Sequence, residues 1–152
     1  MITRREMMKT MAAGSAAMAT MLSAGIALAA EKSASAPDPT AGDQGVTVTE
    51  LMHHALPDAP GHEVVVVTVE YAPGAASSPH RHPGSTFAYV LEGSIESQVE
   101  PGPPVTYSAG QMWYELPRHV HRISRNASST APAKLLAFLV IKPGQQVVLP
   151  VS

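Results

Sequence analysis

The stretch His80-Arg81-His82-Pro83-Gly84-Ser85-Thr86-Phe87-Ala88-Tyr89-Val90-Leu91-Glu92-Gly93 decides how this chain is read. Pro83-Gly84 and Glu92-Gly93 are turn signals, and the run between them, Thr86 to Leu91, has the aromatic and β-branched content of a short strand. His80 and His82 stand at i and i+2, which in an extended chain sends both imidazoles to one face. A second such pair, His119 and His121, follows further along. Four of the seven histidines therefore fall into two i,i+2 pairs, each beside turn residues. That pattern points to a metal site held by short strands.

The same texture extends outward in both directions. Val46 to Leu51 reads as a first strand and His62 to Tyr71 as a second, with Glu63-Val-Val-Val-Val-Thr-Val-Glu70 apolar on both faces and so expected to be covered on both sides. Ala72-Pro73-Gly74 is a turn. Glu92-Gly93 reads as a tight hairpin turn joining Thr86–Leu91 to Ser94–Val99, where Glu96, Gln98 and Glu100 alternate outward. Pro101-Gly102-Pro103-Pro104 breaks the chain. Further strands are expected at Val105–Tyr107, Gln111–Glu115, Val120–Ser124, Lys134–Lys142 and Val147–Leu149. No segment after residue 45 keeps a helical period. With fourteen prolines and eleven glycines in 152 residues, the chain is expected to form one all-β sandwich or barrel.

Composition narrows the chemistry. The net charge is -2 with 14% charged residues, which leaves no basic footprint for nucleic acid and no polybasic membrane patch. There is no cysteine, which excludes disulfides, zinc–thiolate sites and a cysteine nucleophile. Any metal is held by nitrogen and oxygen.

Residues 1–30 read as a cleavable signal segment. Thr3-Arg4-Arg5-Glu6-Met7-Met8-Lys9 is a charged start, a mild apolar run follows, and Ala27-Leu28-Ala29 gives a small-x-small pattern for cleavage near Ala29 or Ala30. The run is broken by Gly14, Ser15, Thr20 and Ser23, too weak for a stable span after processing. The paired arginines with their Thr and Lys flanks resemble a twin-arginine export signal, which implies the twin-arginine machinery as partner and a periplasmic or secreted destination. Residues 31–45, rich in Ser, Ala, Pro and Asp, read as a flexible linker, and residues 46–152 as the folded domain. The sequon Asn126-Ala127-Ser128 is read as incidental.

Two motifs together resemble the cupin superfamily. The first is Gly74, then His80-x-His82, then Tyr89-Val90-Leu91-Glu92-Gly93; the second runs from Gly110 through Pro117 to His121 and Asn126. The resemblance spans about Val64 to Val140. It implies a double-stranded β-helix, a jelly-roll barrel, with His80, His82 and His121 as ligands of a divalent metal and, by the habit of such barrels, a homodimer. The chain departs from the family pattern at Thr86, where a ligating Glu is usual, and in a Pro117–His121 spacing one residue short, with His119 where small residues are common. Thr86 is a poor ligand and is expected in the pocket wall.

Around those ligands, Glu115 is the nearest carboxylate in sequence, a candidate acceptor or general base, and His119 a candidate fourth ligand or proton carrier. Phe87, Met112, Trp113 and Arg122 are candidate pocket residues beside Thr86; barrel packing and a solvated strand edge are the ordinary uses of such side chains. Tyr89 is expected to face away, and His53-His54 to lie at the surface. Iron or manganese is favoured as the metal, on the reading that the protein folds around it before export, with nickel, copper or zinc as alternatives. Two function classes follow. One is an exported enzyme acting on a small oxygen-rich molecule, with dioxygenase-like chemistry ahead of isomerase or lyase chemistry. The other is a non-enzymatic metal- or ligand-binding protein.

Overall fold

Runs of β-branched and aromatic residues cut short by Gly and Pro give strands and, among the described residues, no helix. The computed structural model describes residues 43–151. The expected signal segment, and residues 31–42 of the expected linker, lie outside the described residues. Eleven strands follow one another: β1 (Val46–Ala55), β2 (Glu63–Tyr71), β3 (Ala76–Ser77), β4 (His80–Arg81), β5 (Ser85–Glu92), β6 (Ser94–Val99), β7 (Val105–Ser108), β8 (Met112–Glu115), β9 (Val120–Asn126), β10 (Ala133–Ile141) and β11 (Leu149–Pro150).

They form two antiparallel sheets, in the orders β1-β2-β10-β5-β8 and β11-β4-β9-β6-β7, with β3 paired to β9. The fold is the all-β double-stranded β-helix expected. Alternation along each strand builds its interior. Val65 and Val67 of β2, Leu135 and Leu139 of β10, Ala88 and Val90 of β5, Trp113 of β8 and Ile95 of β6 are buried in one cluster. Val66 of β2 faces the other way and is still buried, lying in register between Met52 and Phe138. It is covered by its neighbours in the sheet.

One expectation is overturned. Glu92-Gly93 does not close a hairpin: β5 pairs with β10 and β8, whereas β6 pairs with β9 and β7. The chain changes sheets at Gly93, whose φ of 69° favours glycine and where a Cβ would stand 2.8 Å from the Pro132 carbonyl oxygen. A local turn signal marks a reversal of direction and says nothing about which sheet receives the next strand. β1 also runs on to Ala55, beyond the expected Leu51, because a register shift between Glu50 and Met52 resets its alternation.

Gly84 sits where the turn after the histidine pair passes over β10. A methyl group there would collide with the Val140 carbonyl, so Gly84→Ala should lower unfolding stability by about 1–3 kcal/mol or more. Gly74→Ala, at a φ of 71° with open space around it, should lose about 1–2 kcal/mol through backbone strain alone. Denaturant unfolding measures both, and an unchanged midpoint for Gly84→Ala would contradict the close approach.

Candidate metal centre

Antiparallel pairing sets His80 of β4 directly opposite His121 of β9. His82 lies just past the end of β4, where Pro83 stops the strand. The imidazole centroids of His80 lie 4.9 Å from His82 and 5.0 Å from His121. One ring nitrogen from each of the three can be chosen so that all lie within 4.8 Å of one another.

For His80 and His82, hydrogen bonds on the far side of the ring settle which nitrogen that is. His80 Nδ1–H donates to the Ser78 carbonyl at 2.8 Å, and His82 Nδ1–H to the Val147 carbonyl at 2.6 Å. A carbonyl oxygen only accepts, so both rings carry their proton on Nδ1 and leave Nε2 as a lone pair. His121 is turned the other way: its Nε2 bonds Ser97 Oγ at 2.8 Å, while its buried Nδ1 faces inward, with Glu115 Oε1 at 3.3 Å as its polar neighbour. Two lone-pair nitrogens, His80 Nε2 and His82 Nε2, thus converge with His121 Nδ1, each on a ring fixed from behind, the arrangement a metal-ligating histidine needs. Burial, with the neighbouring charges of His82 and His121, pulls the His80 imidazole down to about 4. Burial lowers His82 too, against the pull of Glu115. Rings kept neutral at ordinary pH are the ligating form. The donor set therefore fits a divalent metal.

Glu115 of β8 is buried beside them and is the cross-strand partner of Thr86. Its Oε1 accepts the indole Nε1–H of Trp113 at 2.9 Å and lies 3.3 Å from His121 Nδ1; Oε2 lies 3.6 Å from His82 Nε2. Burial pushes the carboxyl up, but the contact with His121, the His82 ring and the indole N–H outweigh it and hold the group down at about 2. Thr86 is 1% exposed, and its hydroxyl reaches only the Gly84 carbonyl, at 3.4 Å.

These groups line one cavity of about 320 Å³. Thr86 and Trp113 wall it as expected from the sequence, Trp113 stacked on Tyr107 and edge-on to His121. Phe87, Met112 and Arg122 do not. Phe87 and Met112 are 41% and 58% exposed, on the outer face of the sheet, because inward positions on β5 and β8 fall to Thr86, Ala88, Trp113 and Glu115. Arg122 is the extra residue of a bulge where β9 slips against β6, and its Nε–H bonds Glu100 outside at 2.8 Å. His119 precedes β9, after Arg118 at a φ of 65°, so the parity shared with His121 in a regular strand is lost. Its Nδ1–H donates to the Glu100 carbonyl, away from the other histidines. Tyr89, His53 and His54 are exposed as read from the sequence.

The reading of the sequence missed Tyr71, Ser77, Ser97 and Ser124. Tyr71 was accessible through the alternation Val65, Val67, Val69, Tyr71. The serines were not, since each is defined by a long-range register.

Residues 67–148 match the cupin domain family, and the chain belongs to it. No curated protein sequence matches the chain. Among solved structures it is similar to the polyketide cyclase RemF of Streptomyces resistomycificus, at 21% identity over 73% of this chain and 74% of that one, TM-score 0.54. It is also similar to a conserved protein with a double-stranded β-helix domain from Klebsiella pneumoniae, at 18% identity over 72% and 89%, TM-score 0.56. A third is the DMSP lyase DddQ of Ruegeria pomeroyi, at 19% identity over 68% and 50%, TM-score 0.55. At these identities the likeness is one of fold.

Ser97 holds His121 from behind, so Ser97→Ala should weaken cobalt(II) binding by about 10–100-fold without unfolding the protein. Titration followed by the visible absorption of cobalt(II) measures this; wild-type affinity in the variant would remove Ser97 from the centre.

Proposed function

We propose that this protein is an exported metalloenzyme that acts on a small oxygen-bearing organic molecule at a three-histidine divalent metal, with dioxygenase-like chemistry favoured. The observation that carries the proposal is the convergence of three imidazole nitrogens, from His80, His82 and His121, on the wall of a cavity large enough for a small molecule. The solved relatives include a cyclase and a lyase. One barrel hosts many chemistries, so the reading rests on the site and not on those names.

A divalent ion held by His80, His82 and His121 would polarise a bound oxygen or activate dioxygen. The chain's own groups do the rest. His80 and His82 keep their protons on Nδ1, tied to main-chain carbonyls, and present Nε2 inward. Glu115 is ionised, and its Oε2 faces the His82 ring at 3.6 Å, which places it to accept the proton of an acidic substrate hydroxyl. Trp113 orients that carboxylate through Oε1. Val67, Leu135, Ala137 and Leu139 give the cavity an apolar wall.

Iron or manganese is the favoured metal. Exposed to copper or zinc in an exporting compartment, a nitrogen site would take those instead, and export after folding, as the Arg4-Arg5 signal implies, would protect the choice. Metal analysis of the purified protein should find iron or manganese at near one per chain, and His82→Ala should remove it. Oxygen uptake with a panel of diketones, catechols and flavonols should then occur in wild type only. Stoichiometric metal with no turnover of any kind would favour a binding protein, and full metal content in His82→Ala would defeat the ligand assignment.

A further inference from the structure

We infer that the ligand of this cavity is a compact, mainly apolar molecule, with paired oxygens at one end and a single hydrogen-bonding oxygen at the other, and that Tyr71 selects it. The first end rests on the metal reading above; the body and the second end rest on separate observations.

The cavity has two polar poles. Tyr71 ends β2 on the inward parity and is 3% exposed, and its hydroxyl bonds Ser124 Oγ at 2.7 Å and Ser77 Oγ at 3.0 Å. All three residues line the same cavity as the histidines. Ser124 lies three residues beyond His121 on β9, so the poles are separated by up to about 10 Å. A regular strand would turn Ser124 outward. The bulge at Arg122 brings both His121 and Ser124 inside.

Three clustered hydroxyls share three protons and a larger number of lone pairs, so they can offer either a donor or an acceptor to an arriving oxygen. Burial raises the Tyr71 phenol, which therefore remains a neutral hydroxyl.

Between the poles the wall is hydrocarbon: Val67, Val69, Leu135, Ala137 and Leu139. Among the described residues no Lys or Arg lines the cavity, and the carboxylate side chains there, Asp43 and Glu115, are acidic. A polyanion would meet no counter-charge beyond the metal and would lose its hydration to hydrocarbon. A volume of about 320 Å³ lies at the small end for organic ligands, fitting one or two rings.

The test uses the metal-loaded protein and three probes: 1-phenylbutane-1,3-dione, its 4-hydroxyphenyl counterpart, and oxalate. Wild type should bind the phenyl diketone at least about tenfold more tightly than oxalate, and the added hydroxyl should tighten it by roughly 3–10-fold. Tyr71→Phe should abolish the hydroxyl gain while leaving metal content and the affinity for the phenyl diketone as they were. Ala137→Leu, which fills the apolar stretch, should weaken both diketones and spare oxalate. Metal content measured on the same samples separates the two readings. Wild-type protein that takes no metal overturns the metal reading and with it the first end of this ligand. Metal-loaded protein that prefers oxalate, or a hydroxyl gain that survives in Tyr71→Phe, overturns the inference alone.

Discussion

Two residues of antiparallel pairing, His80 against His121 and Arg81 against Val120, are the constraint on which the centre depends. β4 is too short to fix itself, and its place is set by β9, which lies between β4 and β6 in its sheet. Once that register is set, two of the three imidazoles face each other without any further device. The third, His82, follows because Pro83 and Gly84 turn the chain immediately and carry it over β10.

The pairing brings the rings together but does not decide which nitrogen each presents. That decision is made at the two ends of the domain. At the front, Asp43 Oδ1 accepts hydrogen bonds from the Ser78 amide at 2.8 Å and the Ser78 hydroxyl at 2.7 Å, fixing the residue whose carbonyl holds His80. At the back, the Val147 carbonyl holds His82, and β11 then pairs with β4 itself. The centre is therefore a property of the closed domain. It is not contained in the histidine motif alone: the Ser78 carbonyl lies two residues before His80, but the Val147 carbonyl comes from the far end of the domain.

This explains which parts were legible in the sequence. Strands and turns were, because β-branched runs and Gly/Pro breaks act locally. His80 and His82 were, because i,i+2 spacing beside turns is itself local; His121 was legible through the second motif of the family pattern, since spacing alone picked His119 equally. The false hairpin at Glu92-Gly93 failed for the opposite reason: a turn residue specifies backbone direction, while partner choice depends on strands far away in the chain. Phe87, Met112 and Arg122 were assigned to the pocket by nearness in sequence to the ligands. On a strand, the immediate neighbour of an inward residue points outward, and at Arg122 a bulge moved the parity as well. Glu115 was found by the same nearness and sits inside because its parity agrees with that of Trp113.

Thr86 and Glu115 then make sense together. The family pattern expects a carboxylate at position 86, and this chain has a hydroxyl there, 1% exposed and weakly bonded. Its cross-strand partner is Glu115, so the carboxylate stands one strand over, at the same level of the barrel. Buried carboxylates and buried lone pairs are both costly without partners. Here Glu115 Oε1 has the Trp113 indole, whereas His121 Nδ1 has only that same Oε1 beside it, at 3.3 Å. A divalent cation among the histidines would relieve both at once, by binding His121 Nδ1 and by setting positive charge against the carboxylate. The negative charge lost at position 86 is thus kept within the cavity while the position itself stays uncharged. That leaves the histidine cluster open on the side of Thr86 and gives an incoming ligand the place the carboxylate would have filled.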